Sequence, residues 1–325
     1  MECRGRSTRA VGAVVWLALV GGCGAASRSR AADACGDGAP TLSTGSISHA
    51  LKTVFVIVME NRDWSSVAGS PSAPYINGTL LPRFAHAERY RNGGLHPSLA
   101  VYTALEAGDP LGIDSDATPA SVHLPVTCHL VTWLEAVGLA WKAYQEGIDG
   151  TRCPIADAYP YTAHHDPFVY FDDVAGNPPS PSAPRCIAHV RPYPELARDL
   201  EAGTVARYNF ITPDVCDDGH DSCPPDHDAV RQTDDWLARE LPRIMSSAAY
   251  RYGGAILIVW DEPETDDAPV GLIVVSPLAR PGYASTTPYS PPSLLRTVEE
   301  VLGLTPLLRQ AATATSLSDL FTTYP

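Results

Sequence analysis

"LKTVFVIVMEN", residues 51–61, decides the fold. Apolar and β-branched residues run unbroken from Val54 to Met59, and the chain then turns at once to Glu60 and Asn61. A half-exposed strand would alternate in polarity. An unbroken run enriched in Val and Ile fits a strand buried on both faces. Similar segments recur. "LAWKAYQE" (139–146), "TVARYNFI" (204–211), "GGAILIVW" (253–260) and "VGLIVVSPLA" (270–279) read as strands. Between and after them, "SLAVYTALEAG" (98–108), "LVTWLEAVG" (130–138), "YPELARDLEAG" (193–203) and "SLLRTVEEVLGL" (293–304) carry helical spacing. So does the amphipathic "DHDAVRQTDDWLARELPRIMSS" (226–247), which Pro242 is expected to bend or divide. Strands separated by helices predict an α/β sandwich around a mainly parallel sheet. Residues 61–97 show no sustained period, and residues 147–190 form a long Pro-, Tyr- and Asp-rich excursion. The part from Tyr159 to Pro184 is expected to cover the sheet or to line a pocket.

The formal net charge of −14 over 325 residues argues against nucleic acid as a partner. It leaves room for a phosphorylated substrate, because a bound cation reverses the local field. Arg4, Arg6 and Arg9 precede the apolar "AVGAVVWLALVGG", too short to span and stay, so residues 1–34 read as an export signal with a linker. Two processing sites compete. "VGGC" would leave a lipid anchor at Cys23, and "AADA" would cleave just before Cys35. Residues 35–325 read as one domain with no transmembrane segment. The even number of later cysteines agrees with export, and Cys216 and Cys223, bracketing "DDGHDS", are the likeliest disulfide pair.

The acids gather where strands end. Glu60-Asn61 follow the first strand, Asp261-Glu262 the "GGAILIVW" strand. "TPDVCDDGHD" after the third carries Asp214, Asp217, Asp218, His220 and Asp221. In open α/β sheets the usable crevice lies beyond the strands' carboxyl ends. Carboxylates gathered there repel one another unless protonated or bound to a cation, and oxygen-rich ligands suit Mg, Mn or Ca. Each acid alone could equally cap a helix. Ser98, behind Pro97, has the same two readings: nucleophile at a helix start, or simple N-cap. His96 stands two residues before it, His220 sits inside the acidic loop, and His164 and His165 precede "DPFVYF". Dinucleotide, P-loop and G-x-S-x-G signatures are absent.

Taken in order, "FVIVMENRDW", "APYINGTLLP", "HPSLAVYTALEAG", "HHDPFVYF", "FITPDVCDDGHD", "DDWLARELPRIMSSAAY", "GGAILIVWDE" and "SLLRTVEEVLGL" resemble the bacterial acid phosphatase and phospholipase C type phosphoesterase family of the alkaline phosphatase superfamily. The resemblance spans roughly residues 53–306. It implies a three-layer α/β/α sandwich of the alkaline-phosphatase type and an exported enzyme, secreted, periplasmic or envelope-attached in a bacterium. It implies hydrolysis of phosphomonoesters or phosphodiesters, phospholipid head groups among them. Ser98 would be the nucleophile and form a phosphoseryl intermediate. Glu60, Asn61, Asp261 and Glu262 would hold one divalent ion (Mg, Mn, Ca or Zn). His220, and His96 from the other side, would contact the phosphoryl oxygens or the leaving group. Asp214 stands where many members have Asn. Two family histidines have no match, since "WDEPETDDAPVGLIVVSP" and "TPYSPPSLLRTVEE" lack them. Asp266 and Asp267 are the nearest replacements. This departure supports the alternative of a catalytically impaired member acting as an extracellular binding protein.

Overall fold

The computed structural model describes residues 39–43, 49–265 and 267–325. The export signal, Cys23, Cys35 and Asp266 lie outside the described residues. Among the described residues ten strands appear in chain order: β1 (Thr41–Leu42), β2 (Thr53–Met59), β3 (Ala85–Ala87), β4 (Trp141–Gln145), β5 (Val190–Pro192), β6 (Tyr208–Thr212), β7 (Gly254–Trp260), β8 (Leu272–Val275), β9 (Ala284–Ser285) and β10 (Leu304–Thr305). β1 and β10 form a small antiparallel pair. The other eight make one sheet in the order β5-β4-β6-β2-β7-β8-β3-β9.

All seven residues of β2 are buried. It lies between β6 and β7 and runs parallel to both, with Val54 opposite Tyr208 and Ala255. Burial on both faces explains why the run has no alternation. The result is the expected α/β architecture with a mainly parallel central sheet. Only β8 runs against the others, antiparallel to both β7 and β3. The reason is covalent reach. A parallel return needs a crossover of a dozen or more residues, and the link from β7 to β8 is too short for one.

The Ser98–Ala107 helix is buried at every position, so it is a core helix and not a surface one. It packs against the Pro291–Leu302 helix, which opens with a Ser290/Ser293 capping box. Gly108 ends the first of these helices at φ +71°, where a Cβ would lie 2.9 Å from the Leu308 carbonyl oxygen. The Pro194–Ala202 and Ala229–Ser246 helices form another packed pair. Of the two outcomes expected at Pro242, a bend or a division, division does not occur, and the second of these helices runs unbroken through the proline. Buried Trp236, Leu237, Leu241 and Ile244 fasten both sides of it to the core, which outweighs one missing backbone hydrogen bond.

Disulfides join Cys216 to Cys223, as expected, and Cys153 to Cys186; Cys128 is also disulfide-bonded. The Cys153–Cys186 bridge ties down the long excursion. Phe168, Val169, Tyr170 and Phe171 from that segment are buried, so much of it covers the sheet. No helix among the described residues is long and apolar enough to cross a membrane.

Candidate active site

The carboxyl ends of β2, β6 and β7 are adjacent because the three strands are adjacent. Met59 and Trp260 are partners in the last step of the β2–β7 ladder. The Asp261 amide then donates to the Met59 carbonyl at 3.0 Å, which carries the pairing one residue past the strands. Asn61 takes a left-handed turn at φ +37°. For a residue with a side chain this is uncommon, and Asn tolerates it better than most. The turn lets the Asn61 amide donate to Asp261 Oδ1 at 3.1 Å. The Glu262 amide donates to the same oxygen at 2.5 Å.

Glu60 is the centre of the site and is fully buried. Ser98 Oγ donates to its Oε2 at 3.3 Å, and Tyr102 Oη donates to its Oε1 at 2.5 Å. Ser98 and Tyr102 are one helical turn apart, so one helix face presents both to the carboxylate. The Glu60 amide donates to the Asp218 carbonyl at 2.9 Å, fastening β2 to the acidic loop. That loop passes close to the Ala229–Ser246 helix at Gly219. A Cβ there would stand 2.5 Å from Thr233 Oγ1, and φ is +96°.

Behind Glu60 stands His165. Its ring stacks on Tyr102 at 5.5 Å between centroids and 3° between planes. Its Nδ1 lies 3.1 Å from Asp218 Oδ2, and its Nε2 lies 3.4 Å from Glu60 Oε1. Burial, and then the nearby rings of His164 and His220, hold the His165 imidazole well below its ordinary pKa. A neutral ring donating from Nδ1 to Asp218 leaves Nε2 as a bare acceptor facing a carboxylate oxygen. Glu60, His165 and Asp218 each offer a ligand atom within 4.8 Å of the others.

The electrostatics are those of anions crowded out of water. Burial, and then the Asp261 and Asp218 carboxylates, push Glu60 well above the usual range. Burial pushes Asp218 up as well. Asp261 is raised to about 6 by burial, against the pull of the Asn61 and Glu262 amides. Glu262 is raised to about 7 by burial and by Asp261, against His96. Four buried polar atoms here lack a hydrogen-bond partner: Asn61 Oδ1, Asp261 Oδ2, Glu262 Oε1 and His165 Nε2. Buried polar groups are normally paired. Three oxygens and one imidazole nitrogen left over together form the donor set a divalent cation takes. The residues therefore fit a metal.

The residues expected from sequence divide in two. Glu60, Asn61, Ser98, Asp261 and Glu262 come together. His96 joins them through Glu262 Oε2, 3.1 Å from its Nδ1, with its side chain half exposed. His220 stands further out. Its Nδ1 pairs with Asp221 at 2.8 Å, its amide donates to Asp218 Oδ1 at 2.7 Å, and its ring centroid is 5.7 Å from that of His165. Neither histidine hydrogen-bonds to Ser98. Asp267 turns to Arg91, 3.5 Å away. Sequence reasoning did not single out His165, Asp218 or Tyr102 as site residues. "HHDPFVYF" and "CDDGHD" held the first two in view, while Tyr102 read only as a helical packing position.

At the level of class, the fold is similar to that of a solved protein of the alkaline phosphatase superfamily. A protein of that superfamily from Vibrio parahaemolyticus superposes with a TM-score of 0.56 at 9% identity, covering 82% of this chain and 70% of that one. The lipoteichoic acid synthase LtaP from Listeria monocytogenes gives 0.55 at 10%, covering 82% and 77%. More particularly, the chain belongs to the phosphoesterase family, whose model matches residues 79–305. That match includes Ser98, His165, Asp218 and Asp261 and begins after Glu60. The probable acid phosphatase of Kluyveromyces lactis is 26% identical over 228 residues, 66% of this chain and 48% of the relative. The acid phosphatase of Aspergillus niger is 26% identical over 220 residues, 64% and 47%. The chain thus spans about half the length of the curated relatives it matches. These relatives are fungal, whereas the sequence resemblance pointed to bacterial members.

Proposed function

We propose that this protein is an exported, metal-dependent hydrolase of phosphomonoesters or phosphodiesters that works through a phosphoseryl intermediate on Ser98. The observation that carries the reading is the buried Glu60 carboxylate. It holds Ser98 Oγ at 3.3 Å, beside the unpaired Asn61 Oδ1, Asp261 Oδ2 and Glu262 Oε1. Glu60, Asn61, Asp261 and Glu262 would hold the ion, with His165 and Asp218 sharing Glu60 from behind. His165 adds an imidazole to the oxygen set, which favours Mn or Zn over Ca. Such an ion would lower the pKa of the serine hydroxyl and neutralise phosphoryl oxygens.

The chain's own groups supply the rest. The Ser98 hydroxyl donates its proton toward Glu60 and so keeps a lone pair free for the substrate. Attack in line on phosphorus forms the Ser98 O–P bond as the leaving-group O–P bond breaks. The departing alkoxide takes a proton from His96 or His220, both half exposed at the mouth. Water then attacks the phosphoseryl phosphorus and returns the serine. Tyr102 fixes Glu60 and stays out of the chemistry. Phosphate ester small molecules and phospholipid head groups are the candidate substrates, and the disulfides agree with an exported site of action.

The test is hydrolysis of one phosphomonoester and one phosphodiester after chelation and metal add-back, beside Ser98→Ala. Chelation should abolish turnover, and Ser98→Ala should lower it by at least about 100-fold. Equal rates for wild type and Ser98→Ala would sink the nucleophile assignment. Metal binding without turnover on either ester would favour the alternative of a binding protein that keeps the inherited site.

A further inference from the structure

The nucleophile helix is capped by a residue from elsewhere in the chain. Ser98 is the first helical residue, and the preceding Pro97 makes no side-chain cap. The amide of Leu99 is one of the orphan donors that a helix start must satisfy. It donates to Asp116 Oδ1 at 3.0 Å. Asp116 lies in the loop after the helix and is exposed. Neighbouring bonds fix that loop: the Ala117 amide donates to Ser115 Oγ at 3.2 Å, and Tyr170 Oη donates to the Ala117 carbonyl at 3.0 Å. The charged and titratable groups that feel Asp116 are Glu262, His164 and the Tyr170 hydroxyl. The Leu99 amide directly follows Ser98, so the carboxylate bonded to it stands at the Ser98 end of the helix.

This position has a consequence for the substrate. A phosphoryl group attacked by Ser98 must dock at the same helix end, where free amides ordinarily receive anionic oxygens. Here the amide next to the nucleophile already binds an anion. The added carboxylate also opposes each further negative charge brought beside it.

We infer that Asp116 is a specificity-determining residue that selects substrates by the charge on phosphorus. It favours monoanionic phosphoryl groups over dianionic ones. The substrate class is therefore the phosphodiester, or the phosphomonoester in its singly protonated form. This rests on the phosphoesterase reading and narrows it. A purely structural cap would stabilise the helix and leave substrate preference alone.

Two esters with one leaving group separate these roles. At about pH 8, 4-nitrophenyl phosphate is a dianion, since its second pKa is about 6, and methyl 4-nitrophenyl phosphate is a monoanion. The metal-loaded full chain is assayed on both, as wild type and as Asp116→Asn. Asn keeps an oxygen for the Leu99 amide and removes the charge. The expected result is a rise of about 10-fold in kcat/KM for the dianion, with a change under about 3-fold for the monoanion. The wild-type preference for the diester then shrinks by the same factor. Equal changes for both esters, or no change for either, would overturn the charge selection while leaving the phosphoesterase reading intact. Failure of wild type to cleave either ester with any divalent metal would overturn both. Thermal melting of Asp116→Asn checks the cap, and an unchanged Tm assigns the kinetic effect to charge.

Discussion

Two acidic clusters sit at the carboxyl ends of neighbouring strands, and both have ligand atoms close enough for an ion. One is Glu60, His165 and Asp218, with Asn61, Asp261 and Glu262 beside them. The other is Glu146, Asp214 and Asp217, after β4 and β6. They differ in what satisfies them. Glu146 Oε1 accepts Trp236 Nε1–H at 3.0 Å, and its Oε2 accepts the Asp214 amide at 3.1 Å. Asp214 Oδ1 accepts the amides of Cys216 and Asp217 at 3.0 and 3.2 Å. Asp217 Oδ2 receives Arg239 at 3.1 Å. The protein itself supplies the donors there, so the second cluster is a clamp on the acidic loop. In the first, acceptors face acceptors, and four buried atoms have no partner. Proximity of acids is common to both. Unmet hydrogen-bonding capacity is what points to a ligand.

The largest test of this contrast substitutes one acid in each cluster. Asp261→Asn should lower metal-dependent hydrolysis by about 100-fold or more, with metal affinity measured by calorimetry falling in parallel. Asp214→Asn should leave both within about 3-fold. Comparable losses from the two variants would erase the distinction. A smaller effect is expected from Tyr102→Phe, which removes the hydroxyl that orients Glu60 and keeps the ring stacked on His165. Metal affinity should weaken about 10-fold, with Tm little changed, as for an outer-shell partner of a ligand.

The smallest effect concerns the clamp. Burial, aided by Asp217 and opposed by the Trp236 N–H, raises Glu146 from 4.5 to about 7. Its folded-state pKa therefore lies above its unfolded one. The associated stability is fully present below about pH 4.5 and is lost as pH rises through about 7. Glu146→Gln should flatten the dependence of Tm on pH over that window, with or without divalent metal. A pH dependence that metal abolishes would instead make this cluster a second ion site.

Much of the fold could be read from the chain. Val54–Met59 and Gly254–Trp260 are continuous apolar runs, and each forms a buried strand. The β3 and β9 strands escaped notice because two or three residues carry no period. Apolar composition does not encode the direction of β8; only the short link after β7 bears on it. For the candidate site, the gathering of Glu60, Asn61, Ser98, Asp261 and Glu262 was legible because each lies within two residues of a strand end or begins a helix. His165 was not, since its value depends on Tyr102 and Asp218 pressing on its two sides from distant parts of the chain. Tyr102 spends its ring on the core and its hydroxyl on Glu60, and only the first use leaves a periodic trace.

The sequence alone determined which segments are buried and that acids gather where strands end. Burial follows from side-chain polarity at short spacing, which is local information. The tertiary structure decided which acids are paired and which are left facing one another, that a histidine from the long excursion reaches Glu60, and that Asp116 takes the amide beside Ser98. Those outcomes rest on hydrogen-bond distances between residues from 17 to 200 positions apart. No local pattern records them, because a hydrogen bond depends on where the backbone brings its two atoms.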